Sequence, residues 1–139
     1  AGTVIDLNNK NYRSLLDGSR PVLIDACAKF CGPCKLIEPV LDRCAENWAE
    51  SLVVARYDVQ SRNHEVKVDL LLKGVMPKSL PSLILLQNNK VVTTWNGILS
   101  DAELEDLLQE NLSKNEKQEP KRELVSARSS GFVSFASTS

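Results

Sequence analysis

The most constraining feature of this 139-residue chain is a pair of cysteines two residues apart, within the run Phe30-Cys31-Gly32-Pro33-Cys34-Lys35. The segment before it, 21–27, is apolar and β-branched, which is typical of a buried strand. The segment after it, 35–46, has apolar residues at helical spacing. The sequence therefore predicts that the Cys-x-x-Cys lies where a buried strand ends and a helix begins.

The start of a helix suits a reactive thiol. The first N–H groups are unpaired and carry a partial positive charge, so a thiolate there is stabilised and its pKa falls below the free value of about 8.5. Cys31 is predicted to be exposed at the helix mouth, and Cys34, one turn further on, to be more buried. This asymmetry favours thiol–disulfide exchange, in which one thiolate attacks a substrate disulfide and the second resolves the mixed disulfide.

Composition places the chain among ordinary single domains. Apolar residues make up 42% and the formal net charge is -1, which gives no indication of nucleic acid or of an acidic membrane surface as a partner. No apolar run approaches the roughly 18 residues of a membrane span. The sequence starts at Ala1 without Met or a leader, and we expect any targeting peptide to have been removed or left out of the given sequence. Four cysteines fit a reactive pair in a reducing compartment better than a disulfide-dense secreted domain.

Strand and helix patterns alternate along the chain. Strands are predicted at 3–7, 21–27, 51–59, 83–86 and 91–95, and helices at 11–16, 34–48, 62–73 and 101–112. This order predicts an α/β fold with a central mixed sheet and helices on both faces. Ser100 and Glu103 are spaced as a capping box for the last helix. Residues 1–112 are predicted to form the domain, and the polar, Ser-rich segment 113–139 a disordered tail.

Over residues 3–112 the sequence resembles the thioredoxin family. Cys31-Gly32-Pro33-Cys34-Lys35 matches the family's active-site motif. Asp25 matches the buried aspartate before it, and Pro39 the proline inside the active-site helix. Leu80-Pro81 matches the residue and the cis-proline that face the cysteines, and Gly97 matches the glycine of the substrate groove.

The resemblance implies the thioredoxin fold and a dithiol–disulfide oxidoreductase that reduces protein disulfides, with Cys31 as the nucleophile and Cys34 as the resolving thiol. It implies that Asp25 accepts the proton of Cys34, with Lys35 and Arg56 in supporting roles. The expected substrate groove consists of residues around the motif: Phe30, Gly32, Pro33, Leu80, Pro81, Gly97 and Ile98. No bound cofactor or metal is implied beyond the Cys31–Cys34 disulfide.

The implied partners are disulfide-containing target proteins and a separate thioredoxin reductase, either flavin- or ferredoxin-dependent. We expect a monomer that binds no nucleic acid and has no membrane span. We also expect an intracellular or organellar location, with the chloroplast as the guess. The electron donor, the targets and the compartment are not encoded in any motif that we find.

Two assignments that the resemblance implies leave alternatives open. Arg56 stands where the family usually has lysine. The alternative to a catalytic role for Asp25 is a purely structural ion pair with Arg56. Because arginine stays charged, we hypothesise that it holds Asp25 ionised and so weakens its use as a proton carrier. Pro77 competes with Pro81 as the cis-proline, and we prefer Pro81 because it immediately precedes a predicted strand.

The sequence departs from the family next to the motif. Phe30 replaces a tryptophan, and Ala26-Cys27 stands where an aromatic pair is common, so that either neighbours fill the space or the site is looser. The segment 62–80 is longer than usual. Cys27 is either a third thiol open to oxidation or a small buried residue, and Cys44 is either core or a site of oxidative dimerisation.

Two other function classes fit parts of the pattern. Zinc could be bound by Cys27, Cys31, Cys34 and Cys44, with His64 as a spare ligand, although structural zinc sites usually combine two separated ligand pairs. A redox-inactive interaction module with a thioredoxin fold is the other alternative. The intact set of motif residues favours the oxidoreductase over both.

Overall fold

In a computed structural model, residues 2–118 are described, with side chains up to residue 112. All nine predicted elements are present. In chain order they are β1 (Ile5–Asp6), α1 (Tyr12–Asp17), β2 (Val22–Cys27), α2 (Gly32–Trp48), β3 (Val53–Asp58), α3 (His64–Leu72), β4 (Ser82–Gln87), β5 (Lys90–Asn96) and α4 (Asp101–Gln118).

The five strands form one mixed sheet in the order β1-β3-β2-β4-β5. β3 pairs in parallel with β1 and β2, whereas β4 is antiparallel to both β2 and β5. Strand β2 therefore has a neighbour on each side, and all six of its residues are buried. The predicted α/β architecture with a mixed sheet is confirmed.

Alternation along β2 assigns its residues to two faces of the sheet. The even-numbered residues Val22, Ile24 and Ala26 belong to a core cluster with residues of α1 and α3. The odd-numbered residues face the opposite way, toward α2. The strand that precedes the cysteines thus contributes to an apolar core on one face and to the surroundings of the motif on the other.

Helix α2 begins earlier than predicted. Cys31 is its N-cap and Gly32 its first residue, with Pro33 in the first turn and Pro39 inside the helix. The prediction started the helix at Cys34, but a proline in the first turn needs no N–H partner and has φ already suited to a helix. The motif is therefore part of the helix rather than a loop before it.

Helix α4 has the predicted capping box. The Ser100 N–H donates to Glu103 Oε1 at 2.9 Å, and the Glu103 N–H donates to Ser100 Oγ at 3.1 Å. The helix continues to Gln118, beyond its predicted end at Leu112, while the prediction of a disordered tail over 113–139 stays a prediction. Residues 113–118 include Lys, Glu and Gln, which favour helix, and the first proline comes only at Pro120.

By its internal contacts the chain divides into two units inside α4, Ala1–Leu104 and Glu105–Ser139. The site described below lies wholly in the first unit. The predicted boundary after Leu112 stays a prediction, and residues 119–139 of the predicted tail lie outside the described residues. Among the helices of residues 2–118, none is long and apolar enough to cross a membrane.

Candidate active site

The two motif cysteines are joined as a disulfide, with their Cα atoms 5.3 Å apart. Cys31 is half-buried as the N-cap of α2, and its Sγ accepts a hydrogen bond from the Cys34 N–H at 3.3 Å. Cys34 is only 2% exposed. The predicted asymmetry between the two sulfurs is confirmed, and Cys31 lies where helix N–H groups stabilise a thiolate.

Two large apolar residues of the predicted groove are exposed to solvent. Phe30 is 89% exposed and Ile98 is 45% exposed, while Gly32, Pro33 and Lys35 are exposed in the first turns of α2. We call Phe30 and Ile98 the apolar rim.

The predicted cis-proline is confirmed. Within residues 2–118 the Leu80–Pro81 peptide is the cis bond, so Pro77 is excluded. Gly97 has φ of +102°, a left-handed conformation that favours glycine. Its N–H donates to the Pro81 carbonyl at 2.8 Å. These contacts join two of the predicted groove segments, although the part that Leu80, Pro81 and Gly97 play in binding a substrate stays a prediction.

Asp25 is fully buried on the α2-facing side of β2. Cys27 follows two positions later, so its side chain lies on the same face of the strand. The Cys27 thiol donates a hydrogen bond to Asp25 Oδ1, with Sγ and Oδ1 3.0 Å apart. This contact was missed by the sequence analysis, although the spacing of two residues on a strand was the signal for it.

Arg56 lies beside Asp25 because the two residues are paired in the parallel register of β2 and β3. The distance from Arg56 Nε to Asp25 Oδ2 is 3.6 Å, too long for a hydrogen bond, and neither atom has a hydrogen-bond partner. The pair is thus an ion pair without a direct hydrogen bond. Part of the Arg56 side chain, 31%, is exposed, which lets water screen its charge.

Burial raises the pKa of Asp25 above its ordinary value, and nearby Glu38 raises it further. The Cys27 hydrogen bond and the Arg56 charge act in the opposite direction but do not offset the loss of hydration. This direction is opposite to the one that the hypothesis about Arg56 requires, and the hypothesis stays a prediction until the pKa of Asp25 is measured. A carboxyl with a raised pKa is suited to exchange protons near neutral pH.

A cavity of about 580 Å³ lies beside Cys34 and Cys27. Its other lining residues are mostly polar: Asp6, Leu7, Asn8, Ala28, Lys29, Lys35, Glu38, Arg56, Asp58 and Asn63. The two expectations for the small Ala26-Cys27 pair stay predictions, because Ala26 packs in the core cluster on the other face of β2. Glu38 was not predicted, although it follows Cys34 by four residues and so shares its helix face.

Comparison with known proteins identifies the family. The sequence profile of the thioredoxin family matches residues 3–110. The chain belongs to the thioredoxin family. It is 35% identical to the thioredoxin of Acidithiobacillus ferridurans over 98 residues, which is 70% of this chain and 85% of the relative. It is 35% identical to that of Alicyclobacillus acidocaldarius over 74% of this chain and 96% of the relative. It is 32% identical to that of Haemophilus influenzae over 78% of this chain and 97% of the relative.

Family membership and the paired motif cysteines agree. This thioredoxin-family chain is a thiol–disulfide oxidoreductase that acts on protein disulfides. The oxidoreductase interpretation is therefore preferred over the redox-inactive interaction module. Thioredoxins need no cofactor, and their redox group is the disulfide itself.

The other two cysteines bear on the zinc alternative. Within the described residues no three His, Cys, Asp or Glu side chains are grouped so that they could hold a metal ion, so the zinc set is not brought together. Cys27 and Cys44 are buried and lie outside the Cys31–Cys34 disulfide. Burial, reinforced by Asp25, raises the pKa of the Cys27 thiol, which favours the protonated, unreactive form over the regulatory one.

Proposed function

We propose that Cys31 is the nucleophile, that Cys34 is the resolving thiol and that Asp25 accepts the Cys34 proton. The observation that carries this assignment is the difference in burial between the two sulfurs. Cys31 is half-buried at the helix N-terminus, and Cys34 is 2% exposed. A sulfur that attacks a protein substrate has to be reachable and ionised, whereas a resolving sulfur needs to reach only its neighbour.

The proposed reaction has two steps. The Cys31 thiolate attacks one sulfur of the substrate disulfide, forms a mixed disulfide and releases the other sulfur as a thiolate. Cys34 then loses its proton to Asp25 and attacks Cys31, which releases the second substrate sulfur. The substrate disulfide gains two electrons and, with protons from water or Asp25, becomes two thiols. The Cys31–Cys34 pair loses two electrons and becomes the disulfide.

We propose that the substrate binds across the apolar rim and the neighbouring backbone. The set is the predicted one: Phe30, Gly32, Pro33, Leu80, Pro81, Gly97 and Ile98. The exposure of Phe30 and Ile98 supports apolar contact with a target. The Gly97 to Pro81 hydrogen bond supports a fixed backbone platform, to which an extended substrate segment can add by main-chain hydrogen bonds. Lys35 and Arg56 are proposed as supporting charges.

Trapping tests the assignment of the two cysteines. Reduced Cys34→Ser is mixed with insulin, and we expect a stable mixed disulfide through Cys31 because the resolving thiol is missing. Cys31→Ser is the matched control and should trap almost nothing. Mass spectrometry of the product after peptide digestion identifies the linked sulfur. Equal trapping by Cys31→Ser would overturn the assignment.

The electron donor is proposed to be a separate thioredoxin reductase of the flavin- or ferredoxin-dependent type. Each purified reductase is mixed with the oxidised protein and its own electron source, and thiol formation is followed. Turnover with one reductase identifies the type. Failure with both would contradict this part of the proposal.

A monomer in the chloroplast is the proposed state and location. A thiol pair that must stay reduced requires a reducing compartment, and the quoted relatives, all bacterial, do not bear on which one. Light scattering of the reduced protein measures its mass, for which the monomer value is expected. Microscopy of the full-length gene product with a C-terminal fluorescent tag measures its location.

A further inference from the structure

The two carboxyl oxygens of Asp25 have different surroundings. Oδ1 accepts the hydrogen bond from the Cys27 thiol at 3.0 Å. Oδ2 is buried and has no hydrogen-bond partner, and the Arg56 Nε lies 3.6 Å away. A buried carboxyl oxygen without a donor is costly. Oδ2 is therefore the Asp25 oxygen that is free to take up a proton.

Cys27 is placed to maintain this difference. It lies on the same face of β2 as Asp25, two residues on, and is 6% exposed. The Cys27 and Cys34 side chains line the same cavity. A donor fixed by the strand on Oδ1 prevents the carboxyl group from turning freely between its two oxygens.

We propose that Cys27 is a positioning residue for proton transfer: its thiol holds Oδ1 of Asp25, so that Oδ2 accepts the proton of Cys34 during resolution of the mixed disulfide. This inference rests on the proposed role of Asp25 as the proton acceptor. Cys27 itself forms no bond to the substrate and changes no oxidation state. The proton moves from Cys34 Sγ to Asp25 Oδ2, and the electron pair left on Cys34 forms the new bond to Cys31.

The titratable and charged groups that act on Asp25 come from three elements. Cys27 is on β2, Arg56 on β3 and Glu38 on α2, and all three act on the ionisation of Asp25. The Cys27 hydrogen bond and the Arg56 charge favour the carboxylate, while Glu38 disfavours it. Loss of the Cys27 donor therefore makes the ionised acceptor scarcer at low pH. It leaves Arg56 and Glu38 in place.

Stopped-flow mixing of the reduced protein with a chromophoric aromatic disulfide separates the two steps. The first coloured thiolate reports attack by Cys31, and the second reports resolution by Cys34. For Cys27→Ala we expect the second step to be about tenfold slower near pH 6 and within about twofold of wild type near pH 9, because the acid limb moves up by about one pH unit. The first step should be unchanged.

Three variants make the result specific. Cys27→Ser keeps a donor and should restore the wild-type pH profile within about twofold. Cys44→Ala removes a buried cysteine ten residues beyond Cys34 on α2, about 15 Å along the helix, and should leave the profile unchanged. Asp25→Asn tests the proposed function itself and should slow the second step at every pH.

Infrared spectroscopy gives a readout that requires no turnover. In the oxidised Cys44→Ala protein, Cys27 carries the remaining thiol, because the chain has four cysteines and two are in the disulfide. Its S–H stretching band should lie at a frequency lowered by the hydrogen bond. The band should rise when Asp25 is protonated by acid, and also in the added Asp25→Asn variant.

The outcomes separate the two proposals. A Cys27→Ala profile that superimposes on wild type, with Asp25→Asn slow, overturns the role of Cys27 and keeps that of Asp25. Equal shifts in Cys27→Ala and Cys27→Ser overturn it as well, since they indicate lost packing rather than a lost donor. An Asp25→Asn protein as fast as wild type overturns the proposed acceptor. If Cys27→Ala does not fold, an S–H band insensitive to pH overturns the inference by itself.

Discussion

The apolar rim and the interior around Asp25 differ in exposure and in charge. The rim exposes Phe30 to water, and nothing in the described chain covers its ring. The interior holds the fully buried carboxyl group of Asp25. The Cys27 thiol donates to one of its oxygens, and the Arg56 Nε lies 3.6 Å from the other without a hydrogen bond. On the proposed assignment, the rim contacts the target protein and the interior accepts a proton. Substitutions should separate recognition from chemistry.

The largest expected effect comes from the interior. Asp25→Asn removes the proposed proton acceptor while keeping size and burial, so we expect the resolving step to slow by about 100-fold near neutral pH. The attack by Cys31 should change by less than about threefold. Two-phase thiolate release measures both steps in one experiment. Equal slowing of both steps would show that the interior and the rim are not separable.

Asp25→Asn should also raise the stability of the folded protein at neutral and alkaline pH. Because burial raises the pKa of Asp25 in the folded protein, the folded state keeps a proton that the unfolded chain has already lost, and stability falls as pH rises through that window. We expect Asp25→Asn to be more stable than wild type by about 2 kcal/mol near pH 8 and similar near pH 3. Urea unfolding of the oxidised proteins measures this, and a wild-type stability that rises over the window would contradict it.

A substitution in the apolar rim should lower activity toward a protein substrate and leave stability almost unchanged. Phe30→Ala removes an exposed ring that we propose contacts targets, so kcat/KM for insulin reduction should fall about tenfold. The free energy of unfolding should stay within about 0.5 kcal/mol, because little buried area is lost. Val91→Ala, at another exposed apolar site, is the control and should leave kcat/KM unchanged. A large loss of stability in Phe30→Ala would remove the distinction between the two regions.

The smallest effect is expected for Arg56→Met. The guanidinium is partly exposed and does not hydrogen-bond Asp25, so its loss should slow the resolving step only about threefold near pH 6 and not at all near pH 9. The pH profile of the second phase measures the shift. A change as large as that of Asp25→Asn would show that the ion pair, rather than burial, controls the acceptor.

Much of this site was predictable because it is encoded in local patterns. The strand–motif–helix order, the cis Leu80–Pro81 bond and the Ser100–Glu103 capping box each depend on short sequence signals, and all three are confirmed. The bounds were harder to predict. β1 is two residues long instead of five, as is common for an edge strand, and α2 includes Gly32 and Pro33.

The interior was predicted least well because it depends on tertiary contacts. An ion pair between Asp25 and Arg56 was considered as the structural alternative, but the balance between burial and charge follows from distances that no sequence pattern specifies. Cys27 was considered as a reactive thiol or as core, and its role as a donor to Asp25 was not considered. The cavity beside Cys34 is also a product of packing between β2, β3 and α2.

The short sequence distance between the two motif cysteines has a thermodynamic consequence. Their disulfide links positions only three residues apart, so it closes a loop of about four residues, for which chain-entropy arguments give about 2 kcal/mol against about 4.7 kcal/mol for a 100-residue loop. The crosslink therefore restrains little of the unfolded ensemble. On this argument, reduction lowers the free energy of unfolding by only about 2 kcal/mol, and we expect the same molecule to stay folded through many cycles of reduction and oxidation.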